Sequence, residues 1–322
     1  MRLLLAPMEG VLDHTLRDLL TGLGGVDRCV TEFLRVTDRL LPPRVFHRRC
    51  PELAAGGCTP AGVPVYLQLL GGQPGPVADN AARAAELGAP GIDLNFGCPA
   101  KTVNRSDGGA AVLRAPARVH AITAAVRAAV PASVPVTVKV RLGFEDRAPF
   151  LEVVRGIEAA GATEIVVHAR TRQDGYRPPA YWEEIARARA VCALPIVANG
   201  EIWCPDDAAR CRRASHCDDL MLGRGALCRP DLPRLVRAAA EGRQRAPLPW
   251  SEVVALLRRF FALTCADCDP RHAGNPLKQW LVYLRSYYPQ AAVFFERHKR
   301  LREPARLSAA LAQEARAGAA AA

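Results

Sequence analysis

The residues best suited to chemistry gather around Cys98, in the run Gly91-Ile92-Asp93-Leu94-Asn95-Phe96-Gly97-Cys98-Pro99-Ala100-Lys101. Ile92, Leu94 and Phe96 alternate with polar residues as in a short buried strand, and Gly97 breaks the run, so Cys98 sits on the turn leaving the strand. A thiol there faces an opening and is placed for proton transfer or nucleophilic attack, whereas a structural cysteine sits inside an apolar run as an inert small hydrophobe. Alone, Cys98 supports both readings. Other strand ends carry Glu9, Gln68, Asn95, Lys139, Arg141, His168, Arg170, Asn199, Glu201 and Arg224. Singly, Gln68 could satisfy a backbone group, His168 could be a hydrogen-bonded core histidine, and Lys139 could pair with a buried acid. Their convergence on one rim is much harder to explain as packing.

Eight strands must position these residues. Leu3-Leu4-Leu5-Ala6 reads as a first buried strand ending at Pro7-Met8-Glu9-Gly10, and Asp13 is placed to cap a helix through Leu16, Leu19 and Leu20. Further strands are expected at 29–33, 65–70, 91–96, 135–141, 164–168, 195–200 and 219–225, with helices between them that use Gly88 as a stop and Pro116 as a start. This alternation over residues 1 to about 240 predicts an α/β fold, a (β/α)8 TIM barrel whose chemistry lies at the C-terminal ends of the strands. No GxGxxG follows the first strand, which removes the usual fingerprint of a Rossmann domain. After Pro247-Leu248-Pro249-Trp250 the pattern becomes purely helical, with Val253, Val254, Leu256, Leu257, Phe260 and Phe261, then Leu277, Trp280, Leu281 and Leu284. The boundary is placed near 243, giving a barrel domain over 1–242 and a small all-α domain over 243–322. The alanine-rich end from about Ser308 reads as a fraying tail.

The chain has 322 residues, half of them hydrophobic and 23% charged, as in an ordinary globular enzyme. No apolar run reaches membrane-spanning length and Met1-Arg2 leads directly into a strand, so a cytoplasmic protein is expected. Eleven cysteines are too sparse for a disulfide scaffold and read mostly as core filler. Cys265 and Cys268 have zinc-ligand spacing, but with only His272 nearby the ligand set is incomplete and no metal is expected. A net charge of +11 points to a polyanionic partner such as nucleic acid. Of the basic residues only Lys101, Lys139, Lys278 and Lys299 are lysine, a weak signal beside the charge itself.

Asn199-Gly200-Glu201 and Gly223-Arg224-Gly225 lie where barrels commonly build a phosphate site. A cation such as Lys139 near a redox ring stabilises its anionic reduced form, and Gln68 is available to hydrogen-bond the ring edge. Together they suggest a phosphorylated flavin, of which FMN is the smallest.

Ala6-Pro7-Met8-Glu9-Gly10, Asp93 to Pro99, Val138-Lys139-Val140-Arg141, Val167-His168-Ala169-Arg170-Thr171, Ala198-Asn199-Gly200-Glu201 and Met221 to Gly225 resemble the tRNA-dihydrouridine synthases, in order along nearly the whole chain. Thr31 to Val36, Val45-Phe46-His47-Arg48 and Lys278-Gln279-Trp280-Leu281 are similar to the dihydrouridine synthase C branch, associated with tRNA position 16. The resemblance implies an FMN-binding barrel and a C-terminal helical domain that helps hold tRNA at its D-loop. It assigns Pro7, Met8, Glu9, Gln68, Lys139, His168, Asn199, Gly200, Glu201, Gly223 and Arg224 to the cofactor, and Cys98 to the catalytic acid. Arg35, Asn95, Tyr176, His272, Lys278 and Gln279 match positions used around the RNA. The implied reaction reduces the C5–C6 bond of an extruded uracil with NADPH as reductant, in a protein acting as a monomer. The chain departs from the family at Phe96, at Arg105-Ser106-Asp107 and along Arg271 to Pro276.

Three other functions fit parts of this pattern. A barrel flavoenzyme acting on a free pyrimidine or other small molecule would not need the positive charge or the helical extension. A non-catalytic RNA-binding protein would not need Cys98, Lys139, His168 and Arg224 together. A Lys139 Schiff-base aldolase would be trapped by borohydride.

Overall fold

A computed structural model describes residues 1–105 and 108–320; of the Arg105-Ser106-Asp107 departure, Ser106 and Asp107 fall outside it. The strands are β1 (Leu3–Leu5), β2 (Arg28–Val30), β3 (Leu34–Arg35), β4 (Val65–Leu70), β5 (Ile92–Phe96), β6 (Val136–Arg141), β7 (Glu164–His168), β8 (Ile196–Asn199) and β9 (Leu220–Leu222). Every pairing between them is parallel, and β1 lies between β2 and β9 while β2 also pairs with β4, so the sheet closes on itself. The expected (β/α)8 barrel is present. One expected strand, 29–33, is interrupted: β2 and β3 both run along β4, with residues 31–33 between them free of regular pairing.

The helices are α1 (His14–Gly22), α2 (Pro43–Arg49), α3 (Pro74–Glu86), α4 (Lys101–Asn104), α5 (Pro116–Ala129), α6 (Phe150–Ala159), α7 (Trp182–Arg189), α8 (Pro205–Ser215), α9 (Arg224–Cys228), α10 (Leu232–Ala240), α11 (Trp250–Asp267), α12 (Gly274–Leu284), α13 (Pro289–His298) and α14 (Pro304–Ala320). Asp13 caps α1 by accepting from the Leu16 N–H at 2.9 Å, and prolines open α3, α5 and α8, where a missing N–H costs nothing.

Strand alternation divides the chain into two packed layers. Outward residues such as Leu3, Leu5, Leu67, Leu94, Val138, Ile165 and Leu222 pack under the helices. Inside, Leu4, Val30, Tyr66, Val166, Val197 and Met221 form a separate small apolar plug. Above and beside it the inward positions turn polar. The register sets Gln68 opposite Asp93, Asp93 opposite Thr137, Asn95 opposite Lys139, and His168 opposite Asn199. Because parallel strands keep neighbours at one level, sequence spacing becomes a polar ring at the barrel mouth.

Among the described residues, the regular elements after α10 are all helices. Trp280 of α12 anchors this region by donating its indole N–H to the Leu227 carbonyl of α9 at 3.1 Å, with Phe260 of α11 edge-on at 5.2 Å. The expected fraying from Ser308 is corrected: α14 runs to Ala320 along α11, because Leu307, Ala310 and Leu311 form a buried stripe at helical spacing. No helix among the described residues is long and apolar enough to cross a membrane. No group of three or more His, Cys, Asp or Glu among them is disposed to hold a metal.

Candidate active site

A cavity of about 500 Å³ opens at the C-terminal ends of the strands. Pro7, Met8 and Glu9 reach it from the loop after β1, Gln68 from β4, Asn95 and Cys98 from the end of β5, Lys139 and Arg141 from β6, and His168 and Tyr176 from β7 and its loop. Asn199, Gly200 and Glu201 follow β8, and Gly223 and Arg224 follow β9. One cavity therefore brings together all the residues matched to the cofactor, together with Cys98, Asn95 and Tyr176.

Cys98 is half-buried on a loop tied down from two sides. The Asn95 amide oxygen accepts the Gly97 N–H at 3.0 Å and the Cys98 N–H at 2.5 Å. From β6 the buried Arg141 guanidinium donates to the Gly97 carbonyl at 2.7 Å and to the Thr171 and Gly175 carbonyls at 2.9 Å, stapling the Cys98 loop to the loop that carries Tyr176. Burial pushes the Cys98 thiol above its usual range, opposed by a backbone hydrogen bond at Ala100 and by the Arg141 and Lys139 charges. At neutral pH it is a thiol, able to give a proton.

Lys139 stands on the cavity floor, where desolvation and the neighbouring Arg141 bring its ammonium down to about 8. Its hydrogen bond among the described residues goes to the Asn199 amide oxygen at 3.2 Å, leaving donors for an acceptor in the cavity. Asn199 is itself oriented by donating to the Met221 carbonyl at 2.7 Å. His168 is driven well below its ordinary value by burial and by the surrounding cations Arg141, Lys139, Arg170 and Arg224, so it is a neutral imidazole. Gly200, at φ 121°, lies against that ring: a Cβ would come within 2.9 Å of the His168 Cδ2.

Across the mouth, Glu201 takes a left-handed backbone, φ 58°, which a side chain adopts at a cost of about 1–2 kcal/mol. Arg170, fully buried, forms an ion pair with its carboxylate, and the Trp203 indole N–H donates to it at 2.9 Å. Burial alone would raise the Glu201 carboxyl, but these donors hold it below the usual range. The Arg224 guanidinium lies 3.8 Å from Glu201, 4.6 Å from the Tyr176 ring centre and 4.9 Å from that of Trp203. Arg170 is thus placed behind the rim rather than on it.

The other residues matched to RNA lie elsewhere. Arg35 is exposed at the end of β3, outside the cavity lining. His272 and Lys278 line a second, basic pocket with Arg271, Asn275, Lys299 and Arg302, and Gln279 is exposed on α12. Trp203 and Tyr283, absent from the sequence reading, also line the mouth, as does Glu32 from the expected strand 29–33. Trp203, two residues past Glu201, was within reach of a strand-end argument. Glu32, which accepts from the Gly10 N–H and from Arg49 at 2.6 Å, lies near the end of that strand and was within reach of the same argument, whereas Tyr283, delivered by α12, carries no local signal.

A closed parallel barrel with a thiol, an ammonium, a neutral imidazole and an arginine–carboxylate pair at its C-terminal mouth defines the class as a barrel enzyme. Residues 4–319 match the family described as Dihydrouridine synthase (Dus). A Pseudomonas putida KT2440 protein named tRNA-dihydrouridine(16) synthase is 51% identical over 315 residues, 98% of each chain. A Ralstonia nicotianae GMI1000 protein of the same name is 47% identical over 306 residues, covering 95% of this chain and 94% of that one. The chain belongs to the dihydrouridine synthase family. In fold it is similar to histamine dehydrogenase from Rhizobium sp. 4-9, with a TM-score of 0.56 at 14% identity over 81% of this chain and 49% of that one. It is also similar to a 2-naphthoyl-CoA reductase, with a TM-score of 0.55 at 13% identity over 75% of this chain and 50% of the other. The chain spans about half the length of these two structures, and the likeness concerns the barrel fold.

Proposed function

We propose that the protein reduces the uridine at position 16 in the D-loop of tRNA to 5,6-dihydrouridine, with FMN held at the barrel mouth and NADPH as reductant. The observation that carries this reading is the sharing of one cavity by the Cys98 thiol, the Lys139 ammonium and Arg224 in a member of this family. The names of the full-length relatives support the tRNA substrate and the position.

The donor set fits a flavin phosphate ester. Lys139 keeps unspent donors, and a Cβ at Gly223 would meet nothing closer than Ala6 Cβ at 3.7 Å and Met8 Sδ at 4.0 Å, so that backbone is open to a ligand. Lys139 and Gln68 would hold the ring, with Pro7, Met8, Asn199 and neutral His168 around it, while Gly200, Glu201, Gly223 and Arg224 would hold the ribityl-phosphate end. Glu9 stands at the mouth with its carboxyl raised by burial, opposed by Arg49. FMN, when bound, would supply hydride chemistry at C6 of the uracil. Cys98 gives its proton to C5, and Arg141 and Lys139 stabilise the thiolate until water entering the open mouth returns a proton. Tyr176, half-exposed between Arg141 and Arg224, presents a ring on which an extruded base or its neighbour stacks, and the spare Asn95 N–H faces the base edge.

In this reading residues 1–242 are the catalytic domain and 243–322 the tRNA-binding domain, with Arg35, His272, Lys278 and Gln279 meeting the RNA. The net charge of +11 supplies affinity for phosphates, while placement of the whole tRNA selects the nucleotide. The test is to purify the protein, record its flavin absorption, and map dihydrouridine in an unmodified tRNA transcript after incubation with NADPH. A yellow protein that forms dihydrouridine at position 16 is expected. A protein that takes up no FMN, or that reduces free uridine and leaves tRNA untouched, overturns the proposal.

A further inference from the structure

Asp93 is fully buried inside the barrel, beneath the cavity and outside its lining. It ends a chain of hydrogen bonds that climbs to the Cys98 loop. The Thr137 hydroxyl donates to one Asp93 oxygen at 2.5 Å and the Gln68 amide N–H donates to the other at 2.7 Å. The Gln68 oxygen accepts from the Asn95 amide at 2.7 Å, and the Asn95 oxygen accepts the Gly97 and Cys98 N–H groups.

The chain has a direction. An ionised carboxylate only accepts, so Gln68 must turn its nitrogen down and its oxygen up, and Asn95 must then turn its nitrogen down and its oxygen up. That upward oxygen is what the two loop N–H groups require. We infer that Asp93 is a positioning residue for Cys98, acting through Gln68 and Asn95 to hold both amides in the one orientation that anchors the Cys98 loop. A neutral residue that both donates and accepts would not enforce this order. Buried networks of this kind are sensitive to a single mismatch because an unpaired donor or acceptor there has no water to turn to.

The direction makes a specific rescue possible. In Asn95→Asp, carboxylates stand at both ends of Gln68, which has one nitrogen to share between them, so one end faces a carbonyl oxygen and the chain breaks. Adding Asp93→Asn restores it in reverse. Gln68 then gives its nitrogen to the new carboxylate at position 95, its oxygen accepts from the new amide at position 93, and the Thr137 hydroxyl still donates to the oxygen of that amide.

Part of this inference rests on the activity proposed above, so the experiment has an arm that needs none. In the purified full-length chain the rate of Cys98 alkylation by iodoacetamide is followed by peptide mass spectrometry. Dihydrouridine formation is measured in parallel, with flavin reduction by NADPH as control. Asn95→Asp is expected to change the Cys98 labelling rate and to lower tRNA turnover by roughly 10- to 100-fold, the loss that follows from one unpaired buried group. Asp93→Asn/Asn95→Asp is expected to recover the labelling rate and part of the turnover, the remaining loss being the Asn95 N–H that faces the base, and Asp93→Asn alone to fall between wild type and Asn95→Asp in labelling. A direct contact of Asn95 with substrate would not be rescued from a residue beneath the cavity. A double variant no closer to wild type than Asn95→Asp in labelling and turnover overturns the inference. If Asn95→Asp is insoluble, a soluble double variant supports the inference and an equally insoluble one overturns it. Rescue of labelling in a protein that forms no dihydrouridine leaves the positioning role standing and removes the proposed activity alone.

Discussion

The barrel mouth and the basic pocket on α12 both carry cations, yet they hold them in different ways. At the mouth, Arg141 is 2% exposed and spends its guanidinium on three backbone carbonyls, and Lys139 is desolvated on the floor. At the second pocket the Arg271 side chain is 82% exposed and pairs locally with Asp269, and Lys278, partly exposed, donates to the Leu301 carbonyl. Cations whose geometry is already settled suit transition-state stabilisation, because little reorganises during reaction. Exposed flexible ones suit a phosphate backbone, where charge matters more than orientation. Under the proposed function, the +11 charge would divide into two kinds of work.

The sharpest way to break this contrast is at the thiol. Cys98→Ala should retain flavin absorbance and tRNA binding while turnover falls by roughly 10²- to 10⁴-fold, the usual worth of a general acid. Equal loss of tRNA affinity, read by filter binding, would merge the two regions into one.

Lys139→Met should come next, slowing flavin reduction by NADPH by roughly tenfold or more, with tRNA affinity unchanged. The pH profile gives the same contrast a sign. Lys139 carries its charge below about 8 and loses it above, so flavin reduction should decline as pH rises through 8, and the decline should move upward in Lys139→Arg. A limb at pH 8 that persists in the arginine variant would belong to another group.

Neutralising the outer pocket should act differently. Lys278→Ala with Arg302→Ala is expected to raise the KM for tRNA several-fold with kcat retained, and to reduce the slope of log affinity against log salt by about 1 for each phosphate that the variant no longer neutralises. A drop in kcat with an unchanged salt slope would mean that this pocket serves the chemistry instead.

The smallest effect concerns stability. Burial raises the Asp93 carboxyl to about 6, against hydrogen bonds from Gln68 and Thr137 that lower it. The folded protein therefore binds a proton that the unfolded chain has already released between about 4 and 6, and holding the ionised form is destabilising above 6. Asp93→Asn removes this pH-dependent cost, so its Tm relative to the wild type should rise by a few degrees between pH 4 and pH 8, on top of a pH-independent loss from the mismatched amide. A stabilised variant with a less firmly oriented Cys98 would mark Asp93 as a residue kept for function at the expense of stability.

Much of this was legible in the sequence. Period-two strands closed by Gly or Pro, separated by helical stretches, yield a parallel barrel because short connections permit little else, and the residues just past each strand must then share a mouth. The helix over α14 was not legible, since alanine-rich segments score alike whether free or packed, and only the groove along α11 buries Leu307 and Leu311. Tyr283 was equally hidden, because its place at the mouth depends on Trp280 docking α12 against α9.

Sequence alone determined that most of the strand-end side chains share one mouth, since alternation and strand order follow from local patterns. Only the tertiary structure decided what each of them is free to do. Gln68 and Asn95 sit at the cavity with most of their hydrogen bonds already committed, Arg170 stands behind the rim holding Glu201, and His168 is neutral because it is buried, with four cations around it. Those states depend on distances across the barrel between strands far apart in the chain, where burial and charge act through space and leave no trace in the order of residues.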